Sequence, residues 1–190
     1  MDMYELLNKS FPIDRASADA FQRACRLVEV PARGYLIKQG DRDNNLYFIA
    51  SGLIRGGRVY RGKEDTLFFM VGGDPYMSMH AVVHDQPSVI SLQALEPTTA
   101  YAIPYPQFHA LLQELPALND WWQLALMEQL YVFEWRYANM GSLLTATERY
   151  KQFIDIRPDG PARIPVKYIA QYLGITTETL SRIRSRLVKS

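Results

Sequence analysis

The sequence predicts an α+β protein: an N-terminal β-roll of the jelly-roll type with flanking helices, then a long helix, then a C-terminal all-α domain. Short segments rich in β-branched and aromatic residues, separated by glycines, fill much of the first half of the chain. Residues 118–144 are apolar on nearly every side at helical spacing and contain no proline. From Thr145 onward, helical patterns alternate with turn residues.

The composition is that of a globular protein. Of the 190 residues, 48% are hydrophobic and 22% are charged. No apolar run approaches the roughly 20 residues that a membrane span requires, and the N-terminus lacks the basic start of a signal peptide. We therefore expect a cytoplasmic protein. A single cysteine, Cys25, excludes an internal disulfide and an iron–sulfur cluster held by several thiolates.

The N-terminal half changes from helical to strand-like spacing. Apolar residues recur at helical spacing from Met1 to Val28, with Asp14 or Ser17 available as a cap. From Glu29 to about Pro104, glycine turns separate short strands, which predicts a small antiparallel barrel or jelly roll. The predicted strands include residues 35–37, 46–50, 53–55, 66–71 and 99–103.

The C-terminal stretch 166–185 predicts two short helices joined by a tight turn. Apolar positions from Val166 to Leu173 fit one helix face, and Leu180 and Ile183 fit a second. Gly174 can end the first helix with φ above zero. The second helix then carries polar residues outward, which favours a helix-turn-helix over an ordinary helical hairpin, the alternative. Thr176 is the predicted N-cap of the second helix. Thr145 and Glu148 form a predicted capping box, at which an earlier helix begins.

Charge is distributed unevenly along the chain. Residues 145–190 hold nine Lys/Arg and four Asp/Glu, whereas residues 1–144 hold twelve and sixteen. A basic C-terminal module on an acidic body suits contact with nucleic acid.

The first strands carry a resemblance to a known family. The glycines and flanking strands of residues 31–55 resemble the opening of a cyclic-nucleotide-binding domain. Together with the C-terminal helix pair, the chain resembles the cAMP receptor protein/FNR family of bacterial transcription regulators. The resemblance implies a sensor domain over residues 1–117, a dimerisation helix over 118–144 and a DNA-binding domain over 145–190. It implies double-stranded DNA, a second copy of the chain and RNA polymerase as partners. The family usually continues into a β-hairpin wing after this helix pair. The sequence ends at Ser190, just after the second helix, so we expect a reader without a full wing.

The resemblance also assigns roles in the second helix of the pair. Glu178, Ser181 and Arg182 match the Glu-x-x-Ser-Arg arrangement of FNR-type recognition helices, and Thr177 replaces the arginine that precedes this glutamate in cAMP-receptor-type readers. Arg182 can clasp guanine O6 and N7, and Glu178 can accept from a cytosine amino group. The candidates for backbone contacts are Lys167, Thr179, Arg184 and Arg186.

The nucleotide-binding positions depart from the family. Family members that bind cAMP carry a glutamate for the ribose and an arginine for the cyclic phosphate. Ser78 and Ser88 stand at or near these positions, and Arg136 is the only Lys or Arg between Asp65 and Ala146. We therefore expect no binding of cAMP or cGMP, and an unidentified small-molecule effector or none. The candidate effector pocket comprises Tyr76, Met77, Ser78, Met79, Ser88 and Val89.

Other functional classes find less support. His80 and His84 are four residues apart, but no third ligand is evident, so we predict neither a metal site nor a cofactor. No nucleophile with a base, phosphate-binding loop or metal-ligand set indicates an enzyme. The alternative to a transcription regulator is a small-molecule sensor or interaction module that keeps the helix-turn-helix as a scaffold and does not bind DNA.

Overall fold

The computed structural model describes residues 2–140 and 144–187. The chain forms two compact units, one of Met1–Arg58 with Phe69–Gln129 and the other of Val59–Phe68 with Leu130–Ser190. The elements, in chain order, are α1 (Met3–Asn8), α2 (Arg15–Ala24), β1 (Arg26–Val30), β2 (Tyr35–Ile37), β3 (Asn45–Ser51), β4 (Ile54–Tyr60), β5 (Lys63–Met70), β6 (Pro75–Met77), α3 (Met79–His84), β7 (Ser91–Ala94), β8 (Thr98–Pro104), α4 (Tyr105–Glu114), α5 (Pro116–Met140), α6 (Ala146–Ile156), α7 (Gly160–Arg163), α8 (Val166–Leu173) and α9 (Thr177–Leu187).

The strands form two four-stranded sheets, in the orders β1-β8-β3-β6 and β2-β7-β4-β5. β3 pairs antiparallel with both β6 and β8, so that Tyr47 lies opposite Tyr76 on one side and Ala102 on the other. β7 pairs antiparallel with β2 and β4. Two small antiparallel sheets with short strands are the β-roll that the glycine-separated segments predict, and this prediction is confirmed.

The main core of the first unit lies between the first sheet and the helices. Phe48 on β3 meets Phe21 of α2 edge to face, with ring centroids 5.2 Å apart. Trp121 of α5 is 2% exposed, and its indole N–H donates to the carbonyl oxygens of Leu7 and Phe11 at 3.0 and 3.1 Å. A buried indole that finds its acceptors binds α5 firmly to the N-terminal helices.

The N-terminal prediction is correct for two helices and wrong for the segment after α2. That helix ends at Ala24, and Asp14 caps it by accepting from the Ser17 amide. Val28 belongs to strand β1, where it lies opposite Ala100 of β8. The helical spacing of residues 1–28 therefore continues by coincidence into a strand whose pairing partner is distant in sequence. β6 and β7 lie within residues 29–104, where short strands are predicted, but they coincide with none of the individual segments given above.

The long helix is present, with a different start. α5 begins at Pro116, ahead of the predicted residue 118, because proline is well suited to the first helical position. Its described part ends at Met140, and the predicted continuation through residues 141–143 lies outside the described residues. Leu144, the predicted last residue, is described and is not helical. No helix among the described residues is both long enough and apolar enough to span a bilayer.

The helices of the second unit have a small core of their own. The predicted capping box is confirmed. The Thr145 hydroxyl accepts from the Glu148 amide, and the Glu148 carboxylate accepts from the Thr145 amide, so Thr145 caps α6. α6, α8 and α9 contribute the buried side chains Tyr150, Phe153, Ile169, Ala170, Leu173, Leu180 and Ile183.

Candidate functional site

The turn between α8 and α9 forms where the sequence places it. Gly174 ends α8 with a φ of 64°, and the Ile175 amide donates to the Ala170 carbonyl at 3.0 Å. Thr176 then caps α9, because its hydroxyl accepts from the Thr179 amide at 3.2 Å. A left-handed glycine followed at once by a capped helix fixes the angle between the two helices.

The predicted base-reading residues share the outer face of α9. Thr177, Glu178, Ser181 and Arg182 are all exposed, while Leu180 and Ile183 are buried on the other face. The Arg182 guanidinium donates to the Thr179 hydroxyl at 3.2 Å, which directs it along the helix surface. These four exposed side chains therefore form one continuous polar surface, here called the reader face.

Glu178 is held in its ionised form. Its own backbone amide and the hydroxyls of Thr176 and Thr177 lower the pKa of the Glu178 carboxyl, in that order of effect. The Thr177 hydroxyl donates to it at 3.1 Å. An ionised carboxylate only accepts hydrogen bonds, so Glu178 is prepared to accept from an exocyclic amino group.

The predicted backbone-contact residues are less uniform. Arg186 is exposed, and Thr179 is half-buried beside Arg182. Lys167 forms an ion pair with Glu64. The Arg184 guanidinium lies over the Tyr150 ring, 5.7 Å from its centroid, and its buried Nε and Nη2 have no hydrogen-bond partner among the described residues. Of the four, Lys167 and Arg184 are therefore engaged by acidic or aromatic side chains of the protein.

Arg149 is a residue that the sequence patterns did not indicate. From α6 its Nε donates to the Leu173 carbonyl at 3.1 Å, and its Nη1 donates to the Leu144 carbonyl at 2.9 Å. Leu173 is the last residue of α8, so this guanidinium satisfies a carbonyl that the helix leaves open and holds the turn before α9. The contact joins segments that are distant in sequence, and no local spacing predicts it.

The candidate effector residues do not all meet. Tyr76 lies opposite Tyr47, whereas Met77 lies opposite Leu46, so the two side chains occupy opposite faces of β6. Met77 packs against the helical core of the first unit. Met79 is 54% exposed and Val89 is 41% exposed. Of the others, the half-buried Tyr76 shares a hydrogen bond with the buried Ser88, and the buried Ser78 is the N-cap of α3.

The two serines use their hydroxyls on the local backbone. Ser78 and Ser88 are each 2% exposed. The Ser78 hydroxyl accepts from the Ala81 amide and caps α3, and the Ser88 hydroxyl donates to the Ile90 carbonyl at 2.8 Å. Burial raises the pKa of the Tyr76 hydroxyl to about 12, and a hydrogen bond with Ser88 opposes that shift. None of these three side chains is a cation.

Two further features bear on ligand binding in the first unit. Arg55 is 4% exposed and donates to the Gln93 side chain at 3.1 Å, on the strand face opposite the fully buried Leu92. His80 and His84 lie one turn apart on α3, with ring centroids 6.5 Å apart. Within residues 2–140 and 144–187, no group of three or more His, Cys, Asp or Glu is arranged to hold a metal ion.

Comparison with known proteins adds to this geometry. Residues 27–115 match the model of the cyclic nucleotide-binding domain family. The fumarate and nitrate reduction regulatory protein of Vibrio cholerae is 29% identical over 167 residues, which cover 82% of this chain and 66% of that protein. Patatin-like phospholipase domain-containing protein 7 of Rattus norvegicus is 28% identical over 93 residues, 47% of this chain and 7% of the phospholipase. The chain thus spans less than two thirds of either relative.

Two solved structures share the fold over most of the chain. A CooA mutant from Carboxydothermus hydrogenoformans covers 100% of this chain and 85% of its own, with a TM-score of 0.72 at 20% identity. The c-di-GMP-responsive global regulator CLP of Xanthomonas campestris covers 93% and 92%, with a TM-score of 0.75 at 17% identity. At these identities the likeness concerns the fold.

Proposed function

We propose that this chain is a sequence-specific transcription regulator that binds double-stranded DNA as a homodimer in the cytoplasm. It has the fold of the cAMP receptor protein/FNR family, and its residues 27–115 match the cyclic nucleotide-binding domain family. One observation carries the proposal: the reader face of α9 exposes Glu178, Ser181 and Arg182 together on a capped helix.

The chemistry of the reader face suits the major groove. A recognition helix enters this groove and contacts base edges with residues near its N-terminus, and Thr177 and Glu178 open α9. Arg182 supplies two parallel donors for guanine O6 and N7, and the ionised Glu178 accepts from a cytosine amino group. Arg186, in the last turn, is a candidate for a phosphate contact.

A dimer is expected from the exposed side of α5. Large apolar residues at alternating four- and three-residue spacing remain solvent-exposed along it: Leu126, Leu130, Phe133 and Tyr137. Apolar residues at this spacing form the seam of a two-helix coiled coil. A two-fold dimer places two reader faces on half-sites about one helical turn apart, so the DNA site is a palindrome. RNA polymerase is a further candidate partner of such a regulator.

The second candidate is a sensor or interaction module that does not bind DNA. One observation in favour of this candidate is that 93 residues of the chain are also similar to a phospholipase domain-containing protein, so the similarity is not confined to transcription regulators. The engagement of Lys167 and Arg184 by protein side chains also favours it. An enzyme is not proposed.

Selection from a random DNA pool separates the two candidates. We expect the full chain to enrich a palindrome, and a variant with Glu178→Ala and Arg182→Ala to enrich nothing while keeping the wild-type circular dichroism spectrum. A pool that stays random after repeated rounds at low salt contradicts DNA reading and favours the interaction module.

A further inference from the structure

α8, the first helix of the pair, is held by side chains of the β4–β5 hairpin. Lys167, in its first turn, forms an ion pair with Glu64. Gln171, one turn later, accepts from the Thr66 hydroxyl at 2.7 Å and donates to the Glu64 carbonyl at 3.2 Å. All of these residues belong to the second compact unit, which includes Val59–Phe68. One face of α8 thus contacts the hairpin at two successive turns.

The two contacts differ in their exposure. Thr66 is 3% exposed, so its bond with Gln171 lies in a packed interface and serves as a fixed dock. The Lys167 and Glu64 side chains are 60% and 34% exposed, so the ion pair lies at the edge, where other ions reach it. Exposed ion pairs are weak and are screened by salt. The Glu64–Lys167 ion pair can therefore break while the Thr66–Gln171 hydrogen bond remains intact.

We expect the Lys167 ammonium group to have a second anionic partner, a phosphate of the DNA backbone. In helix-turn-helix proteins the first helix crosses the DNA backbone, and Lys167 is the lysine of α8. We propose that the Glu64–Lys167 pair is a latch that competes with DNA, so that a phosphate displaces the Glu64 carboxylate from Lys167 when the reader binds. This inference rests on the proposed DNA-binding function.

The latch couples DNA binding to the hairpin. A contact made only in the unbound state weakens binding by its own free energy, and the coupling acts in both directions. An exposed pair changes DNA affinity by about two- to fivefold. Any ligand that draws Glu64 away from Lys167 raises DNA affinity by the same factor.

The test compares two variants of the full chain that gain the same charge. Glu64→Gln keeps the size of the side chain and removes the carboxylate. Asp155→Asn makes the same change at an exposed position on α6, in the same unit. Affinity is measured at low salt by fluorescence anisotropy, with a labelled duplex of mixed sequence about three helical turns long. We expect Glu64→Gln to bind about two- to fivefold more tightly than wild type, and Asp155→Asn to stay close to wild type.

A Lys167→Met background shows whether the gain passes through the lysine. The proposal requires that Glu64→Gln add nothing in this background, and an undiminished gain there overturns it. An equal gain in Asp155→Asn also overturns it, because the effect is then one of net charge. If wild type binds the duplex and Glu64→Gln does not gain, the latch is wrong and DNA binding stands. If neither binds at low salt, the proposed function fails and the latch fails with it.

Discussion

Arg182 is the side chain on which we expect the proposed base reading to depend most. It is exposed on the reader face and anchored at one end by Thr179. If its contact with guanine is bidentate, Arg182→Ala weakens binding by about 1–3 kcal/mol per half-site and relaxes the preference at one base pair. Binding to a selected site and to single-base variants of that site measures both effects.

Arg186→Ala is the matched control for this prediction. A phosphate contact weakens all sequences alike, and its loss reduces the slope of log affinity against log salt by about one. Equal, sequence-independent losses in the two variants mean that Arg182 does not read bases.

Cys25 gives a prediction about pH. Burial raises the pKa of its thiol to about 12, from an ordinary value of 9.0. A raised pKa means that the folded chain favours the protonated thiol, so this contribution to stability is complete below pH 9. It falls progressively as the pH rises from about 9 towards about 12.

The same shift protects the thiol from alkylation. Because the thiolate is the reactive form, we expect Cys25 to react with iodoacetamide at pH 9 at least about tenfold more slowly in the folded chain than in urea. Mass spectrometry of the labelled chain gives both rates, and Cys25→Ser measures the background labelling of other side chains. Similar rates in the two conditions contradict burial of the thiol.

Among the elements, the turn between β3 and β4 depends on its glycine. Gly52 has a φ of 101°, and an added Cβ would lie 2.3 Å from the Thr98 hydroxyl and 2.7 Å from the Thr98 Cα. Gly40 has a nearly equal φ of 97°, with nothing within 4 Å of that position. Alanine would therefore meet similar backbone strain at the two positions, but only at Gly52 would its Cβ collide with neighbouring atoms.

Alanine at the two glycines therefore separates strain from collision. We expect Gly40→Ala to lower the free energy of unfolding by about 1–3 kcal/mol through backbone strain. Gly52→Ala adds the collision with Thr98, about 1–3 kcal/mol more. Two of the three tryptophans, Trp121 and Trp122, are buried in the first unit, so urea unfolding followed by tryptophan fluorescence reports mainly on that unit. Equal losses rule out the collision.

The apolar seam of α5 is tested by placing a charge on it. Leu130 is 66% exposed within the seam, and Ala138 is exposed one residue after Tyr137, off the seam. Leu130→Glu buries an unpaired charge in a dimer, so we expect mostly monomer at micromolar concentration, whereas Ala138→Glu stays dimeric. Sedimentation velocity distinguishes them. A wild type that is monomeric at this concentration contradicts the dimer itself.

Elements fixed by local chemistry were predictable, and those fixed by distant pairing were not. The caps at Thr145 and Thr176 and the left-handed Gly174 depend on neighbouring residues, which the sequence displays directly. β1 depends on β8, whose paired residues lie 68 to 76 positions away, from Val30↔Thr98 to Arg26↔Ala102, so its helical spacing was misleading. The reader face was predicted because exposure follows from helix periodicity, but the engagement of Lys167 by Glu64 depends on tertiary contacts.

For the whole molecule, the grouping of Val59–Phe68 with the C-terminal helices has no local indication either. The hairpin is continuous with the roll in sequence, and the contacts of Glu64 and Thr66 with α8 reveal its partner. The domain boundaries at residues 117 and 144 remain predictions based on the resemblance.

The last prediction is that DNA binding by the full chain does not depend on cyclic nucleotides. A buried cyclic phosphate carries a full negative charge, whose removal from water is costly unless a cation and fixed donors replace the lost hydration. Ser88 donates its hydroxyl to Ile90, Ser78 caps α3, and Tyr76 lies beside Ser88. The buried Arg55 is on the strand face opposite Leu92, where it bonds Gln93.

We therefore expect neither cAMP nor cGMP, at concentrations up to about 1 mM, to give heat in a calorimetric titration or to change the affinity for a selected palindrome. A chain that responds to neither nucleotide senses a less charged ligand or uses the roll as a dimer scaffold. Titration after Ser88→Arg is the informative companion, because it places one cation near the position at which the family resemblance implies a contact with the cyclic phosphate. Micromolar affinity of the wild type for either nucleotide contradicts the prediction, and requires that a basic side chain reach the phosphate from elsewhere in the dimer.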